Sequence, residues 1–242
     1  MIIRGRRGIK FTPEGEYIAQ RAKEIIEQHD KIERHVLNMK NDFSGVLKIG
    51  ASKYIAKYKL PKLLRFFKER FPNIECEVIT GWSGDISRKL RDREVDVAFI
   101  RADYPWHGSR VTLFEEEMWA VYTEEFEWED LLEIPFIKYE NDPRVSMIIE
   151  DWWHSNFNQS PNIDLYVDQV DTCKEMIING LGFGIVPSLI FDGVPDIYIK
   201  PLTKDNRPIT RKTWLYYHSE DIEMTLIKTF VDFVDEHDIK AL

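Results

Sequence analysis

The chain has 242 residues, of which 43% are hydrophobic and 31% charged, and its formal net charge is −9. This composition is that of an ordinary soluble protein with enough residues for one large domain or two small ones. No apolar run is long enough to span a bilayer, and no apolar signal segment follows the basic first residues. We therefore expect a cytoplasmic protein without membrane contact.

The distribution of charge and the positions of the cysteines limit the kinds of binding partner and metal site that we expect. Residues 1–40 hold nine Lys and Arg against six Asp and Glu, whereas the remaining residues hold 24 against 36. A basic start on an acidic body predicts that any contact with a polyanion is confined to the N-terminus. Cys76 and Cys173 form no CxxC or Cys/His cluster, so we expect two reduced core residues rather than metal ligands or a disulfide.

The first predicted helix follows a basic, glycine-punctuated stretch. Thr12 is the expected N-cap, Pro13 takes the first helical position, and the helix is expected to end near Asp42. Its inward positions have heptad spacing and are Ile18, Ala22, Ile25, His29, Ile32, Val36 and Met39. Such a narrow apolar stripe is typical of a two-stranded coiled coil, and the alternative is an amphipathic helix packed on its own domain. The cations before it that are placed to contact phosphates are Arg4, Arg6, Arg7 and Lys10.

Strands and helices alternate through the next part of the chain. Strands are predicted over residues 46–49, 74–78 and 95–100, with a helix over 60–71 and a short helix after Gly84. Strands separated by helices in this rhythm indicate right-handed βαβ units and a parallel sheet.

A second unit begins near residue 118. The chain returns from it through a strand over 214–217 to a last helix over 222–234, which we expect to pack on the first unit. This order predicts an α/β protein of two lobes, joined by two crossover strands and separated by a cleft. The strands predicted within the second unit are 118–122, 136–139, 163–167 and 185–187, and its helices are 147–157 and 171–179.

Polar residues at the strand ends predict a binding site. Ligands gather beyond the carboxyl ends of parallel strands, and helix N-termini with nearby cations favour an anion. The alternatives are that Ser52 and Ser83 are plain N-caps and that Arg101 is a solvated side chain. The predicted site residues are Ser52, Lys53, Ser83 and Arg101 in the first lobe, and Lys138, Tyr139, Asp168 and Gln169 in the second.

The sequence completes none of the common motifs of catalysis or metal binding that we compared with it. Residues 81–85 miss a GxSxG elbow by one position, and residues 180–185 miss GxGxxG because Ile185 occupies the last site. The six histidines form no evident cluster with carboxylates, and neither a Walker loop nor HExxH is present. Trp152 and Trp153 fit core packing better than a sugar-stacking platform. We therefore expect no enzyme, no cofactor and no metal.

These residues resemble the LysR-type transcriptional regulators. Residues 7–16 look like the end of that family's winged helix-turn-helix, running into its linker helix. The resemblance extends in the expected order from residue 4 to about residue 190. The segments that match the opening and later parts of the family's effector-binding domain are 47–50, 59–61, 71–74, 81–83, 94–98 and 180–187.

The resemblance implies a periplasmic-binding-protein-like effector domain, a small-molecule effector in its cleft, and a homo-oligomer, dimer or tetramer, built by linker helices. By family position the effector contacts fall on Ser52, Lys53, Ser83, Arg101, Lys138 and the loop near Asp168, in agreement with the strand ends. The cations among them favour an anionic effector such as a carboxylate. The expected parts are a remnant of the winged helix-turn-helix over 1–11, a linker helix over 12–43, and an effector domain over 45–242, with lobe I at about 45–117 and 219–242 and lobe II at about 118–218.

One part of the family pattern is absent from the sequence. The recognition helix, which precedes the wing and reads the major groove, is not among these residues, so we expect no sequence-specific DNA binding from them alone. The leading hypothesis is the sensing and oligomerising part of a LysR-type regulator. The alternatives are a cytoplasmic solute-binding protein of the same fold, and a dominant-negative oligomerisation partner of an intact homologue that binds DNA.

Overall fold

The N-terminal part contains a hairpin and a helix. The computed structural model describes residues 2–5, 8–22, 24–25 and 44–242. Strands β1 (Ile2–Gly5) and β2 (Gly8–Phe11) pair antiparallel. Helix α1 covers residues 13–22 and 24–25. The Gly15 N–H donates to the Thr12 hydroxyl at 3.1 Å, which confirms Thr12 as the N-cap of this helix.

The predicted seam and phosphate contacts fall only partly on described residues. Ile18 and Ile25 are 50% and 67% exposed, and Ala22 is exposed too, so this end of α1 does not bury its stripe in its own domain. Arg4 and Lys10 lie in β1 and β2. The seam and the DNA contacts stay predictions. The members that lie outside the described residues are His29, Ile32, Val36, Met39, Arg6 and Arg7.

The first three strands of the first lobe run parallel and are flanked by helices, as the alternation predicts. Strand β3 (Gly45–Ser52) lies between β4 (Ile74–Gly81) and β5 (Val97–Arg101) and runs parallel to both. All five residues of β5 are buried, in keeping with the apolar run in its sequence. The connecting helices are α2 (Lys53–Tyr58), α3 (Leu60–Arg70) and α4 (Ser83–Arg91).

The second lobe follows a long strand, β6 (Ser109–Tyr122). This strand starts well before the predicted one at 118. The prediction missed its first part because the run Glu115–Glu117 interrupts the apolar alternation that marks a strand. Its helices and strands are β7 (Phe136–Tyr139), α5 (Pro143–Asn156), β8 (Ile163–Val167), α6 (Val170–Ile178), β9 (Gly184–Pro187), β10 (Tyr198–Pro201), β11 (Thr203–Lys204) and β12 (Arg207–Pro208), with short 3-10 helices at Glu129–Leu132 and Ser188–Ile190.

Two strands carry the chain between the lobes. Strand β13 (Thr210–Tyr217) pairs antiparallel with β6 on one side and with β5 on the other. The result is one mixed sheet in the order β10-β6-β13-β5-β3-β4, with β9 also paired to β6, while β7 and β8 form a separate parallel pair. The cleft therefore lies beside β6 and β13, which run through both lobes.

The last helix returns to the first lobe, as predicted. After a 3-10 helix at Ser219–Glu223, α7 (Thr225–Asp235) packs on α3 and β3. The ring of Phe230 meets Phe67 edge-on, with centroids 5.0 Å apart. Apolar burial of this kind contributes about 25 cal/mol per Å², so this contact holds the C-terminal helix on α3.

The glycines at 180–184 serve packing rather than nucleotide binding. Gly182 has φ +150°, and a Cβ on it would lie 2.2 Å from the Pro135 carbonyl oxygen. A Cβ on Gly184 would lie 2.6 Å from Cδ1 of Ile177. Only glycine allows β9 to approach α6 and the Pro135 segment this closely.

The tryptophan pair belongs to an aromatic core, as predicted. Trp152 and Trp153 are 5% and 3% exposed, and the rings of Phe136 and Phe183 stack beside Trp153 with centroids 4.8 Å apart from each other. Both cysteines are free, with Cys173 buried and Cys76 half-buried. None of the helices in the described ranges has the length and apolar content needed to cross a bilayer.

Candidate functional site

A cleft of about 110 Å³ lies between the two lobes. The carboxyl ends of β3, β4 and β5 form one wall, and the segments after β7 and β8 form the other. Seven of the eight predicted site residues line it, namely Ser52, Lys53, Ser83, Arg101, Tyr139, Asp168 and Gln169. The cleft-lining residues that sequence reasoning missed include Tyr54, Lys57, Trp82, Asn141, Asp142, Asp171 and Arg211.

Lys138 does not line this cleft, which corrects its predicted placement. Successive residues of a strand point to opposite faces, so Lys138 and Tyr139 cannot both face the first lobe. Phe136 and Lys138 lie on the face of β7 toward α5, and Lys138 is 3.6 Å from the Glu150 carboxylate. Tyr139 lies on the other face and reaches the cleft.

The two serines are not plain N-caps. Ser52 occupies the N-cap position of α2, but its hydroxyl makes no capping hydrogen bond. Ser83 is the first residue of α4, and its hydroxyl accepts a hydrogen bond from the Arg101 backbone N–H at 3.1 Å. Ser83 therefore joins the end of β5 to the start of α4, and Ser52 keeps a hydroxyl available beside the cleft.

Arg101 is a buried member of an ion-pair group, and not the solvated side chain that was one alternative. Its guanidinium donates to Oε1 of Glu116, and the guanidinium of Arg211 donates to the same oxygen at 3.0 Å. All three residues are at most 8% exposed. Glu116 comes from β6 and Arg211 from β13, so the crossover strands supply two of the three charges.

This group has an excess of positive charge. Burial alone would raise the pKa of Glu116, but the guanidinium groups of Arg101 and Arg211 outweigh it and hold that pKa below its usual value. Burial and the neighbouring Arg211 lower the pKa of Arg101. The side chain still remains charged at neutral pH, because the usual pKa of a guanidinium is above about 12. Two cations and one anion leave one net positive charge beside the cleft.

Two tyrosines complete this part of the wall. The Arg101 guanidinium carbon lies 4.0 Å from the centroid of the Tyr54 ring, a cation–π contact. Burial raises the pKa of Tyr54 to about 12, so its hydroxyl stays protonated. Burial also raises the pKa of Tyr139, whose hydroxyl is therefore a neutral donor as well.

Several buried polar atoms beside the cleft have no hydrogen-bond partner among the described residues. A buried donor or acceptor without a partner costs about 1–3 kcal/mol, so such atoms are uncommon and mark places where a ligand or water completes the bonding. Within the cleft lining these atoms are Ser52 Oγ, Arg101 Nε, Tyr139 Oη and Asp142 Oδ2, and Glu116 Oε2 is a further one in the ion-pair group.

Two polar contacts bridge the lobes beside the cleft. The Tyr104 hydroxyl donates to Asp142, and the Lys57 ammonium lies 3.0 Å from the Asp171 carboxylate. At the mouth, the Lys53 ammonium stacks over Trp82, 4.1 Å from the ring centroid. The Asp-Pro pair at 142–143 is an N-cap signal that would have identified the start of α5. No local sequence signal marks the other residues of these contacts.

The architecture and the cleft define a class of protein. Two α/β lobes joined by crossover strands around a polar cleft form an effector-binding domain with a periplasmic-binding-protein-like fold. The model of the LysR substrate binding domain matches residues 40–238. This match covers most of the chain, and the chain therefore belongs to the LysR family, as the sequence resemblance indicates.

Individual relatives agree with this family. The chain is 36% identical to the uncharacterized HTH-type transcriptional regulator YraN of Bacillus subtilis, over 94% of this chain and 79% of that protein. It is 30% identical to YkuM of the same organism, also an uncharacterized HTH-type transcriptional regulator, over 98% and 82%. Both relatives are named as transcriptional regulators rather than enzymes.

A solved structure supports the fold. The C-terminal domain of a probable LysR family transcriptional regulator from a Rhodococcus species superposes with a TM-score of 0.66, at 20% sequence identity, over 79% of this chain and 99% of that one. At this identity the likeness concerns the fold alone.

Proposed function

We propose that this chain senses a small monoanionic effector, such as a carboxylate, as the ligand-binding part of a LysR-type transcriptional regulator. The observation that carries the proposal is the ion-pair group, in which Arg101 and Arg211 share the buried Glu116 carboxylate. Its net positive charge is buried, and an uncompensated buried charge is costly. One bound anionic group restores the balance, whereas a dianion would overshoot it.

The donors among the atoms without partners orient this ligand. The Ser52 hydroxyl, the Arg101 Nε–H and the Tyr139 hydroxyl are three donors in residues that line the cleft. A carboxylate accepts several hydrogen bonds and donates none, so it matches this set. The cleft volume of about 110 Å³ is below the roughly 150 Å³ that holds a benzene ring, which favours a ligand of few heavy atoms.

The response to the effector is a change in the relative orientation of the two lobes. Because Tyr104–Asp142 and Lys57–Asp171 bridge the cleft, a ligand that fits one spacing of the lobes better selects that spacing. In the proposed regulator, a homodimer or tetramer relays the change to DNA-binding parts. The exposed Ile18 and Ile25 of α1 support the oligomer, and the proposed regulator acts in the cytoplasm.

The test is a calorimetric titration of the full chain with small carboxylic acids and their matched amides. The acids should bind and the amides should not, because an amide carries no charge for the guanidinium groups to neutralise. Ser52→Ala should weaken acid binding about ten-fold through loss of one hydrogen bond to a charged group. Ser87→Ala is the matched control, because the Ser87 hydroxyl is also buried without a partner but lies away from the cleft.

Two results would contradict the proposal. Amides that bind as tightly as the acids would remove the role of the charge. Equal loss of binding in Ser52→Ala and Ser87→Ala would indicate a general effect on stability rather than a contact in the cleft.

A further inference from the structure

We propose that the second lobe carries a separate binding site for a compact apolar monoanion, such as an aryl or branched alkyl carboxylate. The site is a cavity of about 210 Å³ beside β7, α5 and the start of β8. It goes beyond the effector cleft, because it is larger and most of its lining residues are different. We call it the lobe II pocket.

The walls of the lobe II pocket are mostly apolar. Phe136, Ile149, Trp153 and Ile185 line it and are at most 9% exposed. The indole N–H of Trp153 already donates to the Gln159 carbonyl at 2.8 Å, so this side chain offers hydrocarbon surface and no free donor. An apolar cavity holds benzene at roughly 150 Å³, so the lobe II pocket is large enough for a single ring with a short substituent.

The charge of the lobe II pocket comes from Lys138. Its ammonium lies 3.6 Å from Oε1 of Glu150, which is too long for a hydrogen bond, and its side chain is about one-third exposed. Glu150 is 57% exposed, so this pair is weak and readily exchanged for a ligand. The other polar residues of the lining are Tyr139, Asn141, Ser146, His154 and Ser160. A hydrocarbon wall with one cation at its edge suits an apolar body with a single carboxylate.

The two cavities adjoin at the end of β7, but their charged residues differ. Lys138 lines the lobe II pocket and not the cleft, whereas Ser52, Arg101 and Arg211 line the cleft and not this pocket. Tyr139 and Asn141 line both cavities, at the end of β7 and just after it. Variants at Lys138 and at Ser52 therefore test the two sites independently.

The test uses phenylacetate as the probe and phenylacetamide as its uncharged counterpart, in calorimetric titrations of the full chain. Phenylacetate should bind more tightly than phenylacetamide. Lys138→Met keeps most of the apolar stem and removes the charge, so it should weaken phenylacetate binding about ten-fold. Lys138→Arg should retain binding, and Ser52→Ala should leave it unchanged.

A second variant acts in the opposite direction. Glu150→Gln removes the competing carboxylate from an exposed position where folding is not at risk, so phenylacetate should bind about two- to five-fold more tightly. Absence of phenylacetate binding would overturn the proposal that the lobe II pocket binds a monoanion. Binding that Lys138→Met and Glu150→Gln leave unaltered would overturn it as well. Binding that Ser52→Ala weakens and Lys138→Met does not would assign the probe to the cleft, overturning the lobe II pocket while supporting the proposed function.

Discussion

The Tyr104 hydroxyl donates a hydrogen bond to the Asp142 carboxylate, with 2.5 Å between Oη and Oδ1, and so joins the segment after β5 to the start of α5. Asp142 also caps α5 by accepting a hydrogen bond from the Arg144 N–H at 3.2 Å. The Arg144 guanidinium in turn lies 4.6 Å from the centroid of the Tyr104 ring. One carboxylate therefore serves both the helix start and the contact between the lobes.

We expect Tyr104→Phe to lower the free energy of unfolding by about 1–2 kcal/mol, because it removes a half-buried hydrogen bond to a charged group. Burial and Asp142 raise the pKa of Tyr104, so the hydroxyl remains a donor throughout the neutral range. Urea denaturation followed by circular dichroism measures the change. Tyr166→Phe is the control, since Tyr166 is 64% exposed and should be neutral. Equal stability of Tyr104→Phe and wild type would contradict the bridging role.

Glu116→Gln should be among the most damaging single changes in the chain. It leaves Arg101 and Arg211 buried without a counter-charge, which costs about 3–5 kcal/mol when one partner of a buried ion pair is removed. Chemical denaturation at neutral pH gives the value. Glu115→Gln, at the neighbouring exposed position, should change stability little. Similar losses in the two variants would argue against the ion-pair group.

The same variant should alter the pH dependence of stability. The pKa of Glu116 lies below its usual value of 4.5 in the folded state, so its contribution is present above about pH 4.5 and is lost as the pH falls through the folded-state pKa. The stability difference between wild type and Glu116→Gln should therefore shrink on acidification below pH 4.5. A difference that stayed constant down to acid unfolding would be inconsistent with a pKa held low by the two guanidinium groups.

Tyr139→Phe should stabilise the ligand-free protein and weaken effector binding. The Tyr139 hydroxyl is buried without a partner among the described residues, so its removal relieves a desolvation cost of about 1 kcal/mol. The same hydroxyl is one of the donors proposed for the effector carboxylate. Thermal unfolding without ligand and calorimetry with a small carboxylic acid measure the two effects. A variant that is less stable than wild type would show that the hydroxyl has a partner in solution.

The two thiols should react slowly in the native protein. Burial raises the pKa of Cys173 to about 12, and it also raises the pKa of the half-buried Cys76, so little thiolate is present at pH 8. Titration with a disulfide reagent should show delayed reaction of Cys76 and none of Cys173 until denaturant is added. Rapid labelling of both thiols in native buffer would contradict this burial.

Much of the fold was predictable because its signals are local. The alternation of apolar runs with amphipathic stretches placed β3, β4, β5, α3, α4 and α7 of the first lobe but missed the short helix α2, and the Thr12-Pro13 pair marked the start of α1. The start of β6 was predicted less accurately, because the acidic run Glu115–Glu117 interrupts the apolar alternation of a strand. Pairing with β13 nevertheless holds these residues in the sheet.

The candidate site was predictable at the strand ends and not elsewhere. Ser52, Ser83 and Arg101 lie where parallel strands end, and that topology brings them together. Lys138 was misplaced because two adjacent residues of one strand cannot face the same side. Glu116 and Arg211 carried no signal, since in the sequence each is a charged residue among other charged residues.

The sequence by itself determined most of the longer helices and strands, the two-lobed α/β architecture and the strand-end residues of the cleft, because hydrophobic period and strand direction depend on near neighbours. Only the tertiary structure decided which charges are paired. Arg101 meets Glu116 across 15 residues of chain, and Arg211 meets Glu116 across 95. These pairs depend on the register of β5, β6 and β13, and the energy of a buried charge is determined by the groups that this register brings beside it.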